Sequence, residues 1–234
     1  MVTFGSFSET STEIRKYTRD LYARLEAETG LATGLKQIGF IELAGDKDPL
    51  EEYRRESAFN RYCGVDVQEI SPREVKELFP LAKVDDLEAG FYVKVDGVVN
   101  PIDVTMAMAK GARMKGVTIL EEVAALGFVQ KYGSVSGVGT AIGDIKADYV
   151  VNCAGMWARQ FGELAGVNIP NQAAEHYYLI TEDIHDLPQG MPVLEDPSSY
   201  AYIRQEVGGL MVGMFEPICA PWKVEGIPQD FSFF

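Results

Sequence analysis

The sequence predicts an α+β fold: a mixed, largely antiparallel sheet with helices, plus a partial α/β portion. Three observations carry this. The first is a strand–turn–helix unit over Ala147–Pro170, ADYVVNCAGMWARQFGELAGVNIP. The second is a set of helices announced by capping residues in the first half of the chain. The third is the spread of strand patterns, which lie at both ends of the chain around an α/β middle, the layout of a discontinuous domain.

The elements follow in order. Glu13–Glu28 places Ile14, Tyr17, Leu21 and Leu25 on one face before Gly30, an amphipathic helix. Leu35–Ala44 reads as a strand. Asp48-Pro49-Leu50-Glu51 combines a cap, a first-turn proline and a glutamate three residues on, so a helix starts there and runs to about Cys63. Val65–Ile70 alternates as a short strand. Ser71-Pro72-Arg73-Glu74 is a second capping box, and Pro80 ends its helix. Gly90–Val95 is a strand with a turn at Asp96-Gly97. Asn100-Pro101 caps a long helix that ends at Gly116, and Val117–Leu120 follows as a strand.

Ala124–Ala147 reads as an antiparallel meander with turns at Tyr132-Gly133 and Ile142-Gly143. Gly137-Val138-Gly139 inside it mimics a dinucleotide fingerprint. It lacks the final spacing and the following helix that a pyrophosphate site needs. In the Ala147 unit, Tyr149–Val151 suits a strand buried on both faces. Asn152, Ala154 and Gly155 make the turn. Trp157, Phe161, Leu164 and Ala165 then recur at helical spacing. Such a turn exposes backbone N–H groups that favour an anion, and an ordinary β–turn–α element has the same pattern. Glu175–Thr181, Pro192–Leu194, Tyr200–Arg204 and Gly209–Phe215 are strands. The tail from Pro217 has no periodicity and stops at Phe233-Phe234 without a closing element, as expected of a truncated chain.

Bulk properties narrow the function classes. The chain has 234 residues, 47% of them hydrophobic, so it can bury a core. A net charge of −14 argues against nucleic acid or an anionic membrane surface as partner. Cys63, Cys153 and Cys219 have neither zinc nor disulfide spacing, which fits a reducing, intracellular compartment. No signal-peptide pattern opens the sequence, and no apolar run is long enough to span a membrane.

Period-two placement puts His176 and Tyr178 on one strand face, and Tyr200, Tyr202 and Arg204 on one face of another. An imidazole, phenols and a guanidinium together can bind a small carboxylate and handle a proton. The same residues would serve as aromatic packing around a satisfied histidine. His185 lies in a polar loop, and there is no metal box, P-loop or Ser–His–Asp order.

Five stretches in order carry a family likeness: RLEAETG (Arg24–Gly30), DGVVNP (Asp96–Pro101), VVNCAGMWAR (Val150–Arg159), EHYYLIT (Glu175–Thr181) and GGLMVGMFE (Gly208–Glu216). Together they resemble the dimethylglycine and sarcosine dehydrogenase group of FAD-dependent amine oxidoreductases, in the D-amino-acid-oxidase-like superfamily. They are also similar to the pyruvate dehydrogenase phosphatase regulatory subunit, a relative with a non-catalytic role. The resemblance implies FAD as cofactor, with Val123, Ala154, Gly155 and Trp157 on its side. It implies His176 and Tyr202 as the residues that orient the amine and assist loss of its proton, on neighbouring strands. Tyr178, Tyr200 and Arg204 then contact a small amino-acid or methylamine substrate.

The implied division is 1–99 and 168–234 as the two parts of a substrate domain, with 100–167 as the second half of an FAD-binding domain. The family's GxGxxG unit and the histidine that attaches the flavin would lie upstream of Met1. A folate-binding domain would lie beyond Phe234. The expected setting is the cytoplasm, or the mitochondrial matrix in a eukaryote.

Overall fold

The computed structural model describes residues 2–228, 230 and 231. The expectation for Phe233-Phe234 therefore lies outside the described residues. The chain divides into two compact units. One holds the residues up to Val117 together with Tyr177–Pro217; the other holds Thr118–His176 and the stretch from Ile218.

The first unit carries four helices. The helix α1 (Glu9–Thr29) starts four residues earlier than its apolar spacing indicates, because Ser8 caps it by accepting from Ser11 N; Gly30, at φ 71°, ends it. Only part of its apolar face is buried: Leu25 is 3% exposed, Ile14 and Tyr17 about 60%. The helix α2 (Lys47–Tyr62) is capped by Asp46 rather than by Asp48, since the Asp46 carboxylate accepts from Asp48 N and brings Lys47 and Asp48 into the helix before Pro49. The helix α3 (Pro72–Leu78) has the full capping box, with Ser71 and Glu74 each bonding the other's backbone N–H. The helix α4 (Pro101–Met114) is capped by Asn100.

The dividing line falls after Val117, not between residues 99 and 100, because α4 packs on α1. Gly111 allows the close approach: a Cβ there would lie 3.3 Å from Thr29 Cγ2. A buried anchor ties the start of the chain to the loop before α4. Asp96 is fully buried and accepts from Thr3 N at 2.6 Å and Thr3 Oγ1 at 2.8 Å.

This unit's seven-stranded sheet runs β2-β3-β1-β8-β9-β10-β7. Its strands are β1 (Phe40–Ala44), β2 (Gln68–Ile70), β3 (Ala89–Val93), β7 (Tyr178–Ile180), β8 (Val193–Asp196), β9 (Ala201–Glu206) and β10 (Gly209–Met214). Only β1 and β8 pair in parallel; the other pairs are antiparallel. The fold is thus the mixed, largely antiparallel α+β arrangement that the strand patterns indicate. Alternation splits β1 between two cores. Phe40 and Ala44 join Phe4, Leu50, Phe91 and Val93 on the α2 side. Ile41 and Leu43 join Val75, Phe79, Met191 and Leu194 on the α3 side.

The second unit is built on the meander β4 (Ala125–Lys131), β5 (Ser134–Thr140) and β6 (Gly143–Lys146), in that order and antiparallel. Gly137 and Gly139 sit inside β5, so the apparent dinucleotide motif is strand glycine. A short helix, α5 (Ala158–Glu163), follows a 3₁₀ turn at Gly155–Trp157. Two expected strands do not form. Val117–Leu120 and Tyr149–Val151 are unpaired, and Tyr149 is 90% exposed. A strand needs a neighbour for its backbone N–H and C=O groups, and no described residues pair beside these two. Apolar composition records the tendency to be buried, and pairing decides the strand.

Candidate functional site

One register row crosses most of the first unit's sheet. It reads Phe91, Glu42, Glu195, Tyr202, Gly213, Tyr178, one residue each from β3, β1, β8, β9, β10 and β7. Residues directly opposite one another across a ladder point to the same face. The row therefore leads from the helix-covered core at Phe91, 0% exposed, to the open edge at Tyr178, 60% exposed.

Tyr202 is the aromatic centre of this face. Its ring lies across Gly213 on the neighbouring strand; a Cβ at Gly213 would collide with the ring and its hydroxyl. Phe215 packs on it with ring centroids 5.3 Å apart. Arg204 lies two residues along β9 on the same face. Its guanidinium is held by Glu206 at 2.7 Å, and its Nε donates to Met211 Sδ at 3.3 Å. Arg204 also borders a cleft of about 480 Å³ with Lys36, Asn100, Asp103 and Gly208. Tyr200 departs from the expected alternation. It precedes β9 in a left-handed conformation, φ 52°, closing the 3₁₀ turn Pro197–Ser199, so it shares no strand face with Tyr202.

Tyr178 opens β7, and β10 lies between β7 and β9, so Tyr178 and Tyr202 are not on neighbouring strands. His176 precedes β7 by two residues, is exposed, and falls within the second unit. The strand expected over Glu175–Thr181 shortens to Tyr178–Ile180, the residues in ladder register with β10, while at its ends Tyr177 O accepts from Met214 N and Thr181 N donates to Leu210 O.

In the second unit, three of the four residues expected beside the cofactor come together. Ala154, Gly155 and Trp157 line an open hollow of about 600 Å³ with Ala125, Cys153 and Phe161. Asn152 shapes its rim: Oδ1 accepts from Ala154 N at 3.1 Å and Nδ2 donates to Ala158 O at 2.9 Å. Gly155 adopts φ 54°, and its carbonyl accepts from Asn171 Nδ2 at 2.8 Å. Phe161 packs on Phe128 of β4 with centroids 4.6 Å apart. Val123, the fourth, is half-buried two residues before β4 and does not line the hollow. The apolar and aromatic lining fits one side of a flat ring system such as a flavin. Among the described residues no Gly-rich turn enters a helix to hold a pyrophosphate.

A polar group that the sequence reading passed over sits in the same row. The Glu42 carboxyl is pushed up to about 7, chiefly by burial and then by the charge of Glu195; the Tyr53 hydroxyl from α2 bonds to it and opposes this. Burial likewise raises Glu195. On α2, burial and then Glu52 raise Glu56. The signal was available, because the alternation of FIELA places Glu42 inward with Phe40 and Ala44. Among the described residues no group of three or more His, Cys, Asp or Glu could hold a metal. Among the described residues no helix is long and apolar enough to cross a membrane.

Comparison with known proteins extends these findings. A family described as FAD dependent oxidoreductase (DAO) matches residues 2–232. Human mitochondrial sarcosine dehydrogenase is 36% identical over 97% of this chain and 25% of its own length. The mouse mitochondrial pyruvate dehydrogenase phosphatase regulatory subunit is 37% identical over 95% of this chain and 26% of its own. Rat mitochondrial dimethylglycine dehydrogenase is 34% identical over 91% and 26%. The chain thus spans about a quarter of the length of these relatives. Among solved structures, L-proline dehydrogenase from P. horikoshii superposes with a TM-score of 0.83 at 26% identity, covering 94% of this chain and 58% of that one.

Proposed function

The chain belongs to the FAD-dependent oxidoreductase family, and from that premise we propose that it is part of a flavoprotein that oxidises the N-methyl group of a sarcosine- or dimethylglycine-like amino acid. The observation that carries this reading is the identity of about a third to sarcosine and dimethylglycine dehydrogenases along almost the whole chain. The seat of Tyr202 on Gly213 supports it from the structure. An aromatic hydroxyl held flat on an open sheet face suits a small polar substrate.

FAD, when bound, supplies the hydride acceptor. The chain's own residues bind, orient and move a proton. Ala154, Gly155, Trp157 and Phe161 offer an apolar wall to the flavin ring. Tyr202, fixed by Gly213 and Phe215, orients the amine. Arg204 offers its guanidinium to the substrate carboxylate in exchange for Glu206. His176 accepts the proton that the ammonium nitrogen loses before oxidation. In this reading Tyr178 lies at the open end of the same row, and Tyr200 helps close the turn before β9. A folate-binding domain in the whole protein, and a cytoplasmic or mitochondrial-matrix setting, belong to the same proposal.

A second reading is favoured by one observation, the 37% identity to the mouse phosphatase regulatory subunit. There the same scaffold serves as a non-catalytic regulatory module. Anaerobic mixing of the full flavoprotein with sarcosine and with dimethylglycine tests between them. Bleaching of the flavin supports the oxidoreductase. Bound flavin that no N-methyl amino acid reduces supports the regulatory module.

A further inference from the structure

The sheet of the first unit is joined at a single seam. Its β2-β3-β1 half meets its β8-β9-β10-β7 half only through the parallel pair β1–β8. Glu42 and Glu195 stand directly opposite each other on this seam, on the α2 side. Adjacent strands lie about 4.8 Å apart, so two ionised carboxylates here would face each other at short range in a partly desolvated place.

The groups around the seam are one-sided. From α2 come Tyr53, whose hydroxyl bonds to Glu42, and the carboxylates of Glu52 and Glu56. Across β1, β3 offers Phe91, which is apolar. Arg15 of α1 acts on Glu56, and its Nη1 is bonded to Phe4 O at 2.6 Å. Among the described residues no cation is paired with Glu42 or Glu195. Beyond Glu195 on the same row stands Tyr202.

We propose that Glu42 and Glu195 form a proton-operated clasp: one proton held by the pair locks the two halves of the sheet together, and its loss loosens the half that carries Tyr202. Glu42 is the member that keeps the proton, because it lies deeper and faces the carboxylates of Glu195, Glu52 and Glu56, which together outweigh the Tyr53 hydroxyl beside it. Removing the proton sets two charges across the seam, relieved only by strand separation and entry of water. The opposite side of the seam, where Ile41 and Leu194 belong to one apolar core, limits the change to local loosening. The clasp stands apart from the amine-oxidising reading, since neither flavin nor substrate enters it.

Amide hydrogen exchange on this chain, corrected for intrinsic rates, tests it between pH 5.5 and 8.5. Protection in β8, β9 and β10 is expected to fall by about 30-fold, the ratio that a carboxyl moved from 4.5 to about 7 yields over that interval. Protection in β2 and β3 is expected to stay within about threefold. Glu42→Gln, which keeps shape and removes the titration, is expected to abolish the pH dependence; Glu195→Gln is expected to reduce it and gives an independent check should Glu42→Gln fold poorly. Equal loss in all strands, no loss in the wild-type chain, or an unchanged loss in both variants would each overturn the clasp. Flavin-reduction assays decide the proposed function separately, so either idea can fail alone.

Discussion

The ring of Tyr202 lies across Gly213, the residue paired with it on the next strand, and occupies the space that any side chain there would need. An alanine at Gly213 must push the ring off its seat or spread the strands. Gly213→Ala is expected to cost about 1–3 kcal/mol, the range for overpacking. Combining it with Tyr202→Ala should recover most of that loss, because the collision then disappears. Urea unfolding of the two single variants and the double variant measures this; additive losses would show that the two residues do not compete for space.

Stability should fall as pH rises from about 4.5 to 8. Glu42 has its folded-state value raised from 4.5 to about 7, so the folded chain binds more protons than the unfolded chain between those values. Its contribution is fully present below 4.5 and is lost as pH passes through about 7. The shift corresponds to at most about 3 kcal/mol. Glu195, Glu56 and Asp96 are raised mainly by burial and act with the same sign. Glu69, Glu74 and Asp86 are lowered by their hydrogen-bond partners and act oppositely, but all three sit near solvent, where such pairs contribute little. Urea midpoints at pH 5 and 8 should differ in favour of pH 5. Equal midpoints would contradict the sign.

The Asp96–Thr3 anchor should be worth about 1–3 kcal/mol, because Asp96→Ala leaves a buried backbone donor without its partner. Asp96→Asn, which keeps an acceptor oxygen, should cost less. Thermal unfolding of both variants reads the difference. Similar losses would mean that the carboxylate charge, and not the hydrogen bonds, holds the anchor.

The purified chain should carry no flavin. Its hollow offers an apolar wall, but the sequence holds no GxGxxG between a strand and a helix, and such a turn supplies the main anion contacts to a dinucleotide. Flavin absorption bands surviving desalting would contradict this.

In the full flavoprotein, His176→Ala should slow flavin reduction by sarcosine or dimethylglycine by about 10²–10⁴, the usual worth of a positioned acid or base. The flavin should stay bound, since His176 is not among the residues lining the hollow. Stopped-flow absorbance reads both. Unchanged reduction would remove His176 from the proton's path.

Local chemistry was legible in the sequence wherever a few neighbouring residues settle it. The capping box at Ser71–Glu74, the Asn100 cap, the meander turns and the strand glycine at 137 and 139 all depend on short-range hydrogen bonds and backbone freedom. The turn residues Ala154, Gly155 and Trp157 belong with these, because their juxtaposition follows from one local bend. Pairing between distant segments was decided only in three dimensions. Tyr149–Val151 has the apolar composition of a buried strand and yet stands unpaired. Glu42 and Glu195, 153 positions apart, became neighbours only when β1 chose β8. Tyr200 left the face of Tyr202 when a 3₁₀ turn ended at it with positive φ. The physical reason is common to all three. A side chain's own pattern sets which way it prefers to face, while strand order sets what it faces, and that order rests on partners far along the chain.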